Sequence, residues 1–298
     1  MKIGTRGSQL ARWQAEWIQG RLAASGARAE IVVIKTRGDA EVDRPLHELE
    51  GTGFFTKEIE DALLDGRIDV AVHSLKDLPT TLPPGLALGA VPARHDPREA
   101  LVNGTSLRDL PPGTRVGTSS LRRIAQVRFI RPDLSVVPLR GNVPTRVRKV
   151  ENRDGLDAAL LAIAGLERLG LGAKGTVIDP IDVMPAPGQG ALGIELREDD
   201  AATRRALQPL HDAASAAAVR AERALLAALG GGCQAPVAAY VGTGDAGVGT
   251  RLFGRVTETN GTVQLTASAD VDPAKPEAAG EAVARLLERE GAASLLAR

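Results

Sequence analysis

One thiol stands in 298 residues: Cys233, in the run Gly231-Gly232-Cys233-Gln234-Ala235-Pro236. A single cysteine cannot close an internal disulfide, and without a nearby histidine it makes a poor metal site. Composition alone reads it as a small buried hydrophobe. Its setting argues for more. Gly230, Gly231 and Gly232 end an alanine-rich helix in positions that tolerate positive φ and leave room for something bulky, and Pro236 stiffens the exit. A thiol displayed on a glycine-rich loop suits covalent attachment. The second chemical stretch is His73-Ser74-Leu75-Lys76-Asp77, directly after an apolar run. Ligand sites of open α/β sheets lie at the carboxyl ends of strands, so Lys76 and Asp77 stand where chemistry is expected, a solvated loop pair being the alternative. Asp77 can accept from an N–H group and stabilise a developing cation. His73, a lone strand-end histidine, reads as structural.

Charge supplies the third signal. Lys and Arg number 37, as do Asp and Glu, so the net charge is zero. Yet between Arg115 and Arg153 nine arginines and Lys149 meet only Asp133 and Glu151. A charge run is ordinarily a solvated face, but these arginines sit beside turn residues at strand ends. Arg122 and Arg123 follow Thr118 and Ser120 at a predicted helix start, where N–H groups and the helix dipole attract anions. Arg140 and Arg146 repeat that arrangement one unit later. The guanidinium fork favours bidentate capture of carboxylate or phosphate, and a charge-assisted hydrogen bond contributes ~1.5–3 kcal/mol. A multiply charged small molecule is the expected ligand. Duplex DNA stays open as an alternative, although no nucleic-acid fold signature is present and aromatics are only 2%. No Walker motif, dinucleotide fingerprint, HExxH or paired-cysteine metal site occurs, and no metal is expected.

The elements that must position these groups follow from periodicity. Hydrophobic residues at 43% and charged residues at 25% suit a soluble globular chain of two or three domains. No apolar run nears the ~20 residues of a membrane span, and the start lacks the h-region of an export signal, so the cytoplasm is the expected compartment. Strands are predicted over 2–5, 30–36 and 68–72, the second continuous enough to be buried in a parallel sheet. Leu10, Trp13, Trp17 and Leu22 mark one helix, and Phe55, Ile59, Ala62 and Leu63 another, with a polar loop over 37–53 between them. After a proline-rich passage, 79–97, a second α/β segment has strands at 115–117, 135–139 and 157–163. Its helices run over 121–129, around Arg146, and at Glu167 and Arg168. A crossing at 184–191 leads to a strand at 192–196, a charged helix from 199 and the alanine-rich helix at 215–229. Three strands, 237–241, 251–257 and 263–269, and a helix at 276–290 follow Cys233. The expected class is α/β. Two lobes with a cleft between them take 1–92 plus 190–209 and 93–189, and a small C-terminal α+β domain takes 210–298. No internal repeat stands out.

Seven motifs occur in order: Thr5-Arg6-Gly7-Ser8, Thr36-Arg37-Gly38-Asp39, His73-Ser74-Leu75-Lys76-Asp77-Leu78-Pro79, Gly117-Thr118-Ser119-Ser120-Leu121-Arg122-Arg123, Leu139-Arg140-Gly141-Asn142-Val143, Pro187-Gly188-Gln189-Gly190-Ala191 and Gly231-Gly232-Cys233-Gln234. With them the chain resembles the porphobilinogen deaminases, also called hydroxymethylbilane synthases, over its whole length. The resemblance implies three domains, the first two similar to type II periplasmic binding proteins, and a dipyrromethane cofactor held by Cys233 through a thioether. It implies a transferase of tetrapyrrole and heme biosynthesis. That enzyme joins four porphobilinogen units head to tail, releasing ammonia each time, and hydrolysis frees hydroxymethylbilane.

By the family pattern Asp77 contacts pyrrole N–H groups and stabilises the cation left by deamination. Ser74, Lys76, Asp77, Thr118, Ser120, Arg122, Arg123, Arg140 and Arg146 fall at cofactor positions. Arg6, Ser8, Arg140, Arg146, Arg168 and Gln189 fall on the substrate side. A monomer with no nucleic-acid or membrane partner, passing its product to uroporphyrinogen III synthase, is implied as well. One departure is Thr52, where many relatives carry lysine, so a cationic loop contact is in doubt although Lys57 is near. The rival reading is a non-catalytic small-anion-binding protein of periplasmic-binding-protein type.

Overall fold

The computed structural model describes residues 1–36, 56–104, 106–232, 235–243 and 250–296. They fall into two compact units, Met1–His95 with Gly190–Ala216, and Asp96–Gln189 with Ala217–Arg298.

In the first unit β1 (Lys2–Thr5), α1 (Gln9–Ala24) and β2 (Glu30–Val33) form a parallel β-α-β unit. β3 (Val70–Ser74), preceded by α2 (Lys57–Leu64), pairs with the other side of β1. β4 (Leu86–Ala90) and β10 (Leu192–Arg197), the latter followed by α6 (Ala201–Leu207), complete the order β2-β1-β3-β10-β4, with β10 antiparallel to both its neighbours. Successive side chains of a strand face opposite ways. Val70 and Val72 therefore join the cluster of Ala15, Ile18 and Leu22, whereas Ala71 joins Ile59, Ala62 and Leu63. A strand covered on both faces needs an unbroken apolar run, and Val70-Ala71-Val72 provides it.

Two expectations are corrected here. The buried stripe of α1 is Ala11, Gln14, Ala15, Ile18 and Leu22, one position away from the Leu10-Trp13-Trp17 pattern. Both tryptophans are half-buried instead, stacked on one another and met edge-on by His95. β2 is an edge strand and half-exposed, not buried.

The second unit contains β6 (Arg115–Gly117), α3 (Leu121–Ile130), β7 (Ser135–Val137), α4 (Val143–Glu151), β8 (Ala158–Ala162) and α5 (Ile163–Arg168). Its sheet runs β7-β6-β8-β5-β9, with β5 (Glu99–Val102) antiparallel to β8 and to β9 (Gly175–Ile178). That order matches the first sheet place by place: three parallel strands, then an antiparallel fourth. No sequence repeat announces the likeness.

The same unit holds an antiparallel sheet of β11 (Val237–Thr243), β12 (Thr250–Thr257) and β13 (Gln264–Asp270). Leu225 of α7 (Ala213–Ala228) and Val283 and Leu287 of α8 (Pro276–Arg289) pack on Val237, Leu252 and Val256. A Cβ on Gly280 would meet the Ala221 carbonyl oxygen at 2.5 Å, so only glycine lets α8 lie this close to α7. Arg255 of β12 ties this sheet to the rest of the unit, donating to Gln126 Oε1 (3.0 Å) and the Ile181 carbonyl (3.0 Å). Among the described residues no helix is long and apolar enough to cross a membrane.

Candidate active site

Doubly wound sheets open a crevice where neighbouring parallel strands send their connections to opposite faces. In the first unit that point lies at the carboxyl ends of β1 and β3. Ser8 caps α1, its Oγ accepting from the Ala11 N–H at 3.2 Å, and holds the Arg6 segment against the helix start. β3 ends at Ser74 and passes into a single 3-10 turn, Leu75–Asp77, whose Leu75 is buried while Asp77 is exposed. Arg6, Ser8, Ser74 and Asp77 thus converge on one open pocket of about 60 Å³, lined also by Gln14, Thr56 and His73. Gln14, 2% exposed, donates to Ser74 Oγ at 2.7 Å and fixes that hydroxyl from the helix side. Lys76 is half-buried on the same turn. An acid, a cation and two hydroxyls around one cavity can bind a molecule that carries both an N–H group and a carboxylate.

Three further groups lie behind the pocket. His73 Nε2 and Glu195 Oε2 of β10 are 3.1 Å apart, both side chains buried, and Glu60 of α2 is buried too. Burial pushes the Glu60 carboxyl above its usual range; the charge of Glu195 adds to the rise and that of His73 opposes it. Sequence reasoning missed Glu60, Glu195 and Gln14. Only the amphipathic spacing of α1 and α2 hinted that Gln14 and Glu60 face inward.

The second unit repeats the strand-end geometry. Thr118 is buried after β6, and its Oγ1 accepts from the Ser120 N–H at 3.3 Å at the start of α3. Ser119 Oγ donates to the Leu139 carbonyl and accepts from the Leu139 N–H, both at 3.0 Å, which brings the ends of β6 and β7 together. After β7, Gly141 takes φ +110, and a Cβ there would meet Thr145 Cγ2 at 2.9 Å, so the turn before α4 requires glycine. Asn142 caps α4 through Thr145 N–H (2.9 Å), and Arg146 Nε donates to the Gly141 carbonyl (2.7 Å). Arg140 and Arg146 are half-buried on this loop and helix start.

Arg122 and Arg123 are placed differently from a pair aimed at solvent. Both are buried and share Glu99 of β5, through Nη2 contacts of 2.6 and 2.7 Å to its two oxygens. Arg122 Nη1 also donates to the Met184 carbonyl (2.5 Å) and Arg123 Nη1 to the Leu160 carbonyl (3.0 Å). Burial pushes the Arg122 guanidinium below its ordinary value, and the Glu99 carboxylate works against that shift. Arg168, at the end of α5, is buried as well, and burial pushes it down to about 10 despite the neighbouring charge of Glu167. Gln189 is fully buried, its amide donating to the Pro97 carbonyl at 2.8 Å. The adjoining Gly188, at φ +73, donates its N–H to Glu222 Oε2 (2.7 Å), and Oε1 of that carboxylate accepts from Val241 (2.9 Å). Glu99 and Glu222 also escaped sequence reasoning, because their partners come from distant elements.

Of the glycines ahead of the thiol, Gly230 alone takes positive φ, at +65, and its N–H returns to the Ala227 carbonyl, ending α7. Gly231 is confined instead, since a Cβ there would lie 2.8 Å from Leu226 Cδ1, while a Cβ on Gly232 would meet nothing within 4 Å among the described residues. Cys233 and Gln234, the loop at 37–53 and Thr52 lie outside the described residues.

Sheet order and strand-end pocket together define a doubly wound α/β protein built to bind a charged small molecule. A family model described as "Porphobilinogen deaminase, dipyromethane cofactor binding domain" matches residues 1–205, and one for the C-terminal domain of porphobilinogen deaminase matches 216–289. The chain belongs to the porphobilinogen deaminase family. Porphobilinogen deaminase of Syntrophotalea carbinolica is 49% identical over 100% of this chain and 95% of the relative. Those of Moorella thermoacetica and Chromobacterium violaceum are each 48% identical over 99% of this chain and 95% and 96% of theirs. Among solved structures the methionine-binding protein MetQ covers 70% of this chain and 89% of its own at 17% identity and a TM-score of 0.43, too loose a likeness to carry an argument.

Proposed function

We propose that the chain is a hydroxymethylbilane synthase, a transferase that adds four porphobilinogen units to a dipyrromethane primer on Cys233 and releases ammonia at each addition. The convergence of Asp77, Arg6, Ser8 and Ser74 on one strand-end pocket, in a chain that matches its family from end to end, carries the reading. The residues suit the cofactor chemically. A dipyrromethane presents carboxylates and pyrrole N–H groups; the first unit offers half-buried Lys76 next to the exposed acid Asp77, and the second offers half-buried Arg140 and Arg146. When bound, the primer supplies a free pyrrole carbon to which units are added.

The chain's own groups do the rest. Asp77 accepts the N–H of the incoming pyrrole and offsets the positive charge that develops on it as ammonia leaves, an electrostatic task suited to a preplaced carboxylate. Arg6 and Ser8 take that unit's carboxylates, and Lys76, Thr118, Ser120, Arg140 and Arg146 hold the primer's. Arg122 and Arg123 act on the cofactor from their shared Glu99, which fixes where their positive charge lies. Arg168 and Gln189 serve the substrate side from buried positions. A cytoplasmic monomer handing its product to uroporphyrinogen III synthase completes the proposal.

Intact-mass spectrometry with a turnover assay tests it. The wild-type chain is expected to weigh about two pyrrole units more than its sequence and to consume porphobilinogen, and Cys233→Ser is expected to lose both properties. Normal turnover by a chain of unmodified mass overturns the tethered-primer reading.

A further inference from the structure

This inference rests on the function proposed above and concerns three groups which that reaction scheme leaves unused. His73 lines the same pocket as Asp77. Behind it Nε2 meets Glu195 Oε2 at 3.1 Å, with the imidazole 4% and the carboxylate 0% exposed. Glu60, 7% exposed, reaches the pair from α2, which packs on both β3 and β10. Among the described residues Oε1 of Glu60 and Oε1 of Glu195 are buried with no hydrogen-bond partner. Among the described residues the charged groups around His73 are Glu195 from β10, Glu60 from α2, and, lining the same pocket, Arg6 from the end of β1 and Asp77 from the turn after β3; α1 contributes the neutral Gln14, and Thr56, ahead of α2, the hydroxyl that hydrogen-bonds Glu60. Asp61 adds its charge to Glu60 from the same helix.

Burying two carboxylates this close together disfavours ionising both. The Glu60 carboxyl is pushed up by burial, against the hydrogen bond from the Thr56 side chain. A core built only for packing uses hydrocarbon at such a place. Two acids and a histidine that opens on a reaction pocket are arranged for another purpose.

We propose that Glu60, Glu195 and His73 form a proton relay behind Asp77, which takes up the proton displaced in each condensation and returns it to solvent through the pocket. In each round the substrate's carbon–nitrogen bond breaks and ammonia leaves with the bonding pair. The new carbon–carbon bond then forms and one ring proton is released to Asp77. Ammonia takes up a proton in water, so the round is neutral overall, but release and uptake occur at different places. His73 accepts the proton at one ring nitrogen and passes the other nitrogen's proton to Glu195, with Glu60 sharing the resulting charge; the reverse steps reset the site. These residues act through Asp77 and are relay groups, not groups that touch substrate.

The test uses the holoenzyme with the near-isosteric variants Glu60→Gln and Glu195→Gln. In infrared spectra taken stepwise upward from pH 4.5, the wild type is expected to keep a protonated-carboxyl C=O band above the range of an ordinary glutamate, and Glu60→Gln to lack it. With porphobilinogen, kcat is expected to fall about 10- to 100-fold in either variant. KM should stay within about twofold, and the acidic limb of the kcat profile should move by about one pH unit or more. A merely structural role lowers Tm and leaves that profile in place.

A stability measurement gives a second arm. A carboxyl pushed up in the folded chain loses stability as pH rises from 4.5, its ordinary value, through the raised one, and glutamine does not. The Tm of Glu60→Gln should therefore climb relative to wild type across that window. Superimposable infrared bands, or wild-type kcat–pH profiles in folded Glu60→Gln and Glu195→Gln, overturn the relay. A wild-type protein without turnover overturns the parent assignment and the relay with it, whatever the infrared and Tm arms read.

Discussion

Removing the Glu99 carboxylate is the sharpest single test of how the arginine-rich segment is built. Glu99 is 0% exposed, Arg122 and Arg123 are 5% and 7% exposed, and both contacts are short, 2.6 and 2.7 Å. Each charge-assisted hydrogen bond contributes ~1.5–3 kcal/mol, so two of them set a scale of ~3–6 kcal/mol. Breaking a buried pair from one side costs ~3–5 kcal/mol, because the partner is left as an uncompensated charge. Here one deletion strands two guanidiniums, and for Arg122 burial already works against the charge while Glu99 holds it in place. Glu99→Ala is therefore expected to destabilise the second unit by ~4–5 kcal/mol, equivalent to roughly 10–15 °C in Tm.

Calorimetry on the purified chain measures this directly. Glu99→Gln, which keeps one acceptor, should fall between wild type and alanine. The triple variant Glu99→Leu, Arg122→Met, Arg123→Met should regain much of the loss, since a buried triad replaced by hydrocarbon of similar volume is often neutral or better. A Glu99→Ala protein that melts within about 2 °C of wild type refutes the argument. Such a result means that the two arginines satisfy themselves elsewhere and that Glu99 does not position them.

Two further outcomes are expected. Asp77→Asn keeps the size of the turn residue but removes its charge, so kcat should drop about 10²–10³-fold, with the mass gained on Cys233 unchanged; undiminished turnover counts against charge stabilisation by Asp77. Asp157, held by Arg115 through its guanidinium (2.9 and 3.0 Å) and backbone N–H (2.9 Å), has its carboxyl pushed down to about 2. A depressed carboxyl contributes stability that is present above its ordinary value of 3.8 and is lost as pH falls toward 2. Acid titration of Asp157→Asn should lack that part of the unfolding curve. The effect is small because both side chains are about 40% exposed, and an unchanged acid limb sinks the point.

Much of the site could be read from the chain because strand ends are local features. Val70-Ala71-Val72 and Ala158 to Ala162 are short apolar runs, Val116-Gly117 is a shorter one, and the polar residues just after them land at the strand ends by topology alone. The caps Ser8 and Asn142 were not singled out in the sequence and emerge from the structure. What else stayed hidden is long-range. The carboxylate that meets His73 lies 122 residues away, and the one under Arg122 and Arg123 comes from a strand that no pattern marked.

β4 was invisible because Leu-Ala-Leu-Gly-Ala sits inside a proline-rich passage and becomes a strand only by pairing with β10. The stripe of α1 was displaced for a similar reason. Alanines 11 and 15 carry little hydrophobic signal, while two conspicuous tryptophans lie on the flank and stack on each other.

The place of β10 also governs how the chain can be made. Between the end of β4 at Ala90 and the start of β10 at Leu192 lie roughly a hundred residues, which a ribosome takes about 5–20 s to add. Until then β3 lacks its antiparallel neighbour and β4 has no pairing partner among the described strands. Open N–H and C=O rows of this kind template intermolecular pairing. The nascent first sheet thus exposes open strand edges until Leu192 and its strand are made, and a chain truncated before that point is expected to aggregate instead of forming a smaller working domain.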